Sequence, residues 1–263
     1  MQGQKGKAWG NIPNIGGAVQ GIQMLTRNRP LYAVLIDADN IPAKHAEPIL
    51  KEIATFGELA LRRVYGDWSS EQLRGWAETV REHGLVAHQE TANTKGKNAS
   101  DIGLVIDAMD ILHAGRFDGF VLVSSDSDFT ALANRIREQG LEVIGIGERK
   151  TPESLRNVCN RFVLIENIID EPAPARDGTP TKSNKLPAKD AAPLITAAMD
   201  KIEQDDDWYS LSALGKHIIA ANSDFDTRTY GYKKLSDLVG SLNRFEIRKI
   251  GQTLSVRHVS KAK

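Results

Sequence analysis

The sequence predicts an α/β protein, a mainly parallel sheet flanked by helices, joined to a small winged-helix domain. Three observations carry that prediction. Short apolar runs alternate with helix-period segments from Leu31 to Ile165, the pattern of βαβ units that close a parallel sheet. Two of the runs, residues 31–36 and 120–123, are apolar without interruption, as strands covered on both faces are. Beyond a stretch rich in Pro, Ala, Lys and Asp, residues 170–193, the pattern changes to three helices and a hairpin.

In chain order, residues 31–36 make the first strand and Asp37 follows it. Asn40, Ile41 and Pro42 start a helix over 42–56, with Ala46, Ile49, Leu50, Ile53 and Ala54 on one side and Gly57 at its end. Residues 59–65 are the second strand. A helix over 69–83 follows, with Ser69 and Gln72 at capping-box spacing and Gly84 closing it. The short third strand, 85–88, leads into a polar loop over 90–99 that holds Lys95 and Lys97. A helix over 100–114 carries Ile102, Val105, Ile106, Met109 and Leu112. After the fourth strand, 120–123, Phe129, Leu132, Ala133 and Ile136 mark one face of a helix over 129–139. Residues 141–146 and 162–165 are the fifth and sixth strands. With right-handed crossovers the expected order is 3-2-1-4-5, which puts a switch point between the first and fourth strands.

At 263 residues and 41% hydrophobic content the chain is long enough for one large or two modest domains with a true core. No apolar stretch reaches the roughly 18 residues of a membrane span. The N-terminus lacks the apolar block of a signal peptide, so the expectation is a cytoplasmic protein with no membrane contact. Cys159, the single cysteine, allows no internal disulfide and no zinc motif, and reads as a packing residue. Net charge is zero, so only its distribution informs. Residues 1–30 hold Lys5, Lys7, Arg27 and Arg29 and no acid, a flexible basic arm that suits either solvent or a phosphate backbone.

The chemistry concentrates where strands end in aspartate. Asp37 follows the first strand, and Asp126 and Asp128 follow the fourth; ligands of open parallel sheets sit at that edge. One such aspartate serves equally well as a helix N-cap, but two neighbouring strands ending alike converge on one pocket. Asp101 opens the third helix and reaches the same edge, although an acid in a first turn also suits the helix dipole. Asp67 reads as a turn residue, and Asp107 and Asp110 face away. Clustered carboxylates need a counter-charge, and hard oxygen ligands suit Mg²⁺ or Mn²⁺. The expected metal set is Asp37, Asp101, Asp126 and Asp128, with Asn40 orienting a carboxylate or a water. Such a site performs phosphoryl chemistry, and Lys95 and Lys97 stand ready for a nucleic-acid backbone. No Ser-His-Asp set, P-loop or GxGxxG competes, and the histidines lack ligand spacing.

IDADNIP around Asp37, KNASD ending at Asp101 and SSDSDF from Ser124 resemble, in order, the three motifs of the NYN domain, of the LabA-like type, a branch of the PIN-like nuclease superfamily. The resemblance covers about residues 31–168. It implies a PIN-like fold and a metal-dependent ribonuclease, with Asp37, Asp101 and Asp126 as metal-binding acids, Asp128 assisting and Asn40 beside the first. By analogy it also implies pairing of two copies. Ser125 stands where the motif often has Gly.

Residues 169–190 read as a linker, and 191–260 as the winged helix, with helices over 194–202, 211–221 and 232–242 and a hairpin of 246–250 with 253–259. Arg228, Lys233, Lys234, Arg248 and Lys249 give its last third a basic face that attracts phosphates. FDTRTYGYKKLSDLVGSL and the FEIR that follows resemble the OST-HTH or LOTUS domain, which implies RNA binding or the docking of a protein partner. The joint reading is a metal-dependent endoribonuclease acting on single-stranded or structured RNA that the second domain holds. A non-catalytic RNA-binding regulator is the alternative. A phosphatase of the haloacid dehalogenase type, suggested by Asp37-Ala38-Asp39 after a strand, ranks lower: the chain continues Asn40, Ile41, Pro42, without the Thr or Val that motif needs, and Asp101 is left idle.

Overall fold

The computed structural model describes residues 28–89, 99–169, 185–204 and 206–259. The basic arm, the loop with Lys95 and Lys97, and residues 170–184 of the expected linker lie outside them. The first unit is a six-stranded parallel sheet of β1 (Leu31–Asp37), β2 (Glu58–Gly66), β3 (Val86–Gln89), β4 (Gly119–Val123), β5 (Glu142–Gly147) and β6 (Arg161–Leu164), in the spatial order β3-β2-β1-β4-β5-β6.

Helices α1 (Ala46–Phe56) and α2 (Arg74–His83) cover one face, and α3 (Ala99–His113), α4 (Thr130–Glu138) and α5 (Glu153–Val158) the other. Side chains alternate along a strand, so Ala33, Leu35, Phe120 and Leu122 join the α3–α5 core while Val34, Ile36, Val121 and Val123 join the α1–α2 core. Both central strands are buried on both sides, which is why their sequences show no polar alternation. The chain builds outward from β1 to β3, then returns to lay β4 against the free side of β1. The carboxyl ends of β1 and β4 therefore flank the crevice that neither crossover fills.

One local expectation changes. The hydroxyl that caps the turn before α2 belongs to Ser70, which accepts the Gln72 N–H at 3.3 Å; Ser69 instead donates its Oγ to Asp67 at 2.6 Å. Asp67 also accepts from the Gln89 amide, so it is a tied turn residue. Gly84 ends α2 with φ of 59°, the left-handed conformation in which glycine has no Cβ penalty.

The second unit packs α6 (Ala192–Met199), α7 (Leu211–Ala221) and α8 (Leu235–Gly240) on an antiparallel sheet of β7 (Tyr209–Ser210), β8 (Phe245–Ile250) and β9 (Thr253–His258), in the order β7-β9-β8. Its core is Ile195, Met199, Leu214, Ile218, Leu238, Val239 and Val256. The two residues of β7 are too few to leave a period in the sequence. Residues 185–190, at the end of the expected linker, attach to this unit: the Leu186 N–H donates to the Thr229 carbonyl at 2.8 Å, and the next residue after them, Ala191, is buried. Among the described residues no helix is long and apolar enough to cross a membrane.

Candidate active site at the switch point

β1 delivers Asp37 to the crevice with 1% of its surface exposed. Four donors fix the carboxylate. Oδ1 accepts the N–H groups of Asp39 and Asn40 at 3.1 and 3.3 Å, and Oδ2 accepts Asn40 Nδ2 and Ser124 Oγ, each at 2.8 Å. These four bonds match the roughly four lone-pair sites of a carboxylate, so a cation at Asp37 would share or displace one of them. Burial raises the Asp37 pKa, and the bonds from Ser124 and Asn40 hold back part of that rise. The turn itself is pinned by Trp76, whose Nε1 donates to the Ile41 carbonyl at 3.0 Å.

Ser124 is the joint between the two strands. Its N–H continues the ladder to Ile146, its Oγ donates to Asp37, and the same Oγ accepts the Asp126 N–H at 3.1 Å. Ser125 accepts the Glu148 N–H at 2.9 Å, so the serine at this motif position has a partner of its own. Gly147 closes β5 beside it, where an added Cβ would stand 2.6 Å from the Ser124 carbonyl. Asp126 Oδ1 accepts the Asp128 N–H at 2.9 Å and caps the turn Ser127–Phe129 that leads into α4. Capping and a place in the site are therefore one arrangement.

α3 contributes from across the crevice. Ser100 Oγ donates to Asp39 Oδ2 at 2.6 Å and ties the start of α3 to the turn after β1. Asp101 then faces the others: burial, followed by the negative charges of Asp37, Asp126, Asp128 and Asp39, pushes its pKa up to about 6. The structure thus brings Asp37, Asn40, Asp101, Asp126 and Asp128 to one edge. Asp39 and Ser124 complete the group and were not singled out for it from the sequence. Their signal was available in position alone, one beside Asp37 and one at the last buried place of β4.

The fit to a divalent cation is one of chemistry. The donor set is all oxygen, as Mg²⁺ and Mn²⁺ prefer, and the mutual repulsion recorded at Asp101 is the charge a cation neutralises. Among the described residues no three acidic, imidazole or thiol groups are drawn close enough to form a ready coordination shell.

On the second unit, Lys233, Lys234 and Lys249 are exposed. The Arg248 guanidinium lies 3.8 Å from the Trp208 ring centroid, and Arg257 lies 4.6 Å from it while pairing with Glu246 at 2.8 Å. Trp208 was not anticipated as part of this face. Arg228 sits elsewhere, half-buried between Glu52 and Asp226, its guanidinium occupied by both carboxylates.

The NYN domain family model matches residues 32–166, and the OST-HTH/LOTUS domain model matches residues 183–256. No curated protein matches the chain at a significant level. Among solved structures, a protein of unknown function from Vibrio parahaemolyticus is 23% identical, with 54% of this chain and 96% of that one covered and a TM-score of 0.45. An uncharacterized protein from Nitrosomonas europaea is 30% identical, with 36% of this chain and 92% of that one covered and a TM-score of 0.26.

Proposed function

The chain belongs to the NYN-domain family, with an OST-HTH/LOTUS domain after it, and on that premise we propose that it is a metal-dependent endoribonuclease whose second domain holds the RNA. The NYN domain belongs to the PIN-like nuclease superfamily, and the LOTUS domain suggests RNA binding. One observation carries the finer reading: Ser124 Oγ bonds both Asp37 and the Asp126 N–H, and Ser100 Oγ bonds Asp39, so acids from β1, β4 and α3 meet at one edge, where burial first and neighbouring negative charge second push the Asp101 pKa up to about 6. A fold gains nothing by gathering like charges, so the gathering serves a ligand.

Asp37, Asp101 and Asp126 would hold Mg²⁺ or Mn²⁺, with Asp128 at the open side. The cation, when bound, supplies charge neutralisation and polarises a phosphate oxygen. The residues do the rest. Ser124 and Asn40 keep Asp37 in one orientation, so its lone pairs point the same way in every molecule. Asp39 and Ser100 hold the start of α3 in place and with it Asp101. Asp128, which is exposed, would accept a proton from water at the mouth of the crevice. Lys233, Lys234, Arg248 and Lys249 bind phosphate on the second domain, and Lys95 and Lys97 lie outside the described residues.

The test compares wild type with Asp126→Asn on labelled RNA in Mn²⁺, Mg²⁺ and EDTA. Cleavage by wild type only, stopped by EDTA, supports the nuclease. RNA binding without cleavage in any metal would instead favour the non-catalytic regulator.

A further inference from the structure

The second domain is bound to the first through contacts that run in both directions. β6 is the last strand of the parallel sheet, and an edge strand offers unpaired N–H groups. Here the Phe162 N–H donates to the Ser223 carbonyl of the second domain at 2.8 Å. Ser223 Oγ returns a bond to the Arg156 carbonyl at 2.6 Å, and Asn167 Nδ2 donates to Thr229 Oγ1 at 2.8 Å.

Two ion pairs cross the same boundary with opposite polarity. Arg156 of α5 meets Asp224 at 2.6 Å. Arg228 of the second domain meets Glu52 of α1 through both terminal nitrogens, at 3.0 and 2.7 Å, and Asp226 Oδ2 also accepts from its Nη2 at 2.6 Å. A two-pronged guanidinium–carboxylate contact fixes direction as well as distance. Glu52 has 13% and Arg156 20% of its side chain exposed, so neither pair is an ordinary surface contact. The anchors are also well chosen for rigidity. α1 follows the turn after β1 that carries Asp39 and Asn40, and α5 packs on, and β6 belongs to, the sheet whose β4 leads to Asp126.

Resting on the nuclease reading above, we propose that Glu52, Arg156, Asp224 and Arg228 are positioning residues that lock the LOTUS domain at one distance from the carboxylates, making the favoured substrate an RNA long enough to span both domains and cut at a fixed offset from its bound segment. Arg228 is thereby a clamp between domains, and the RNA-facing cations are Lys233, Lys234, Arg248 and Lys249, which are exposed. Two contacts on one strand, held at fixed separation, raise effective concentration only for RNA that reaches both.

The experiment uses the full chain with Glu52→Ala, Arg156→Ala and the double variant; both residues lie in the first domain and neither is one of the site carboxylates or of the lysines. Circular dichroism confirms that each variant folds. Small-angle scattering reads the radius of gyration, and affinity for a long and a short RNA is measured in EDTA. Cut positions are mapped on the long RNA in Mn²⁺. The expected result for the double variant is a larger radius of gyration, about a ten-fold loss in preference for long over short RNA, and dispersed cut positions with the short-RNA rate retained. An unchanged radius with an unchanged length preference overturns the proposal. If wild type cuts nothing, the nuclease reading fails alone, and scattering with length-dependent affinity still decides the clamp.

Discussion

Asp101 and Asp107 lie on the same helix, α3, within two turns of each other, and their surroundings differ in kind. Asp107 is received by Arg63 and the Tyr65 hydroxyl. Burial alone would raise its pKa, but the bonds from Arg63 and Tyr65 and the Arg63 charge outweigh burial and hold it below the ordinary carboxylate value. Asp101 is half-buried and, among the described residues, the charges that act on it are those of Asp37, Asp126, Asp128 and Asp39; burial first and these charges second raise its pKa to about 6. One carboxylate is answered by the fold and stabilises it; the other is left unanswered and strains it. The difference teaches where a ligand belongs: a fold neutralises the charges it keeps for itself.

The comparison is sharpened most by Asp101→Asn. Cleavage is expected to fall by about 100-fold or more, since one oxygen donor of the cation is weakened. Thermal stability is expected to move the other way. Relief of repulsion at this half-buried site, discounted for solvent, is worth about 1 kcal/mol, or roughly 2–4 °C in Tm. Scanning calorimetry in EDTA checks it, and a lower Tm would break the contrast.

Asp107→Ala should show the reverse profile. Arg63 and the Tyr65 hydroxyl lose their acceptor in a mostly buried setting, which costs about 2 kcal/mol in urea unfolding. Cleavage per folded molecule is expected to stay at the wild-type level. A loss of activity at full stability would place Asp107 in the site instead.

The two acids also carry opposite pH signs. Asp101 binds its proton more tightly folded than unfolded, so its destabilising effect is absent below pH 3.8 and complete above about pH 6. Asp107 has a lowered folded pKa, so its stabilising effect is present above pH 3.8 and is lost as pH falls through its folded value. The prediction is that Asp101→Asn gains over wild type at pH 7 and shows no gain at pH 3.5, while the deficit of Asp107→Ala narrows toward pH 3.5. Equilibrium unfolding at both pH values measures the two slopes.

The smallest effect belongs to Ser100→Ala, which removes one exposed hydroxyl bond to Asp39. A few-fold loss of metal affinity and about 0.5–1 kcal/mol of stability are expected. Mn²⁺ titration separates this from the larger loss at Asp101, and equal losses would show that the helix start matters as much as its acid.

The family resemblance and the sheet order are legible in the sequence, because they rest on local signals. An uninterrupted apolar strand must be covered on both faces, and an aspartate at its end has nowhere to go but the carboxyl edge. The capping serine was misplaced by one residue because Ser69 and Ser70 offer the same hydroxyl and only the turn geometry distinguishes them. Asp39 stood out only through the Asp37-Ala38-Asp39 spacing, since its tie to Ser100 on α3 leaves no local signal.

By itself, then, the sequence determined most of the strands and helices and where the acids stand along them, since burial periodicity and turn chemistry act between near neighbours. Only the tertiary structure decided who meets whom: Ser124 joining Asp37 to Asp126, Ser100 holding Asp39, and Arg228 turning from the basic face to Glu52. Those pairs are 87, 61 and 176 residues apart for Ser124–Asp37, Ser100–Asp39 and Arg228–Glu52. No local period records a contact across such separations; it exists once the sheet has closed and the second domain has docked on its edge.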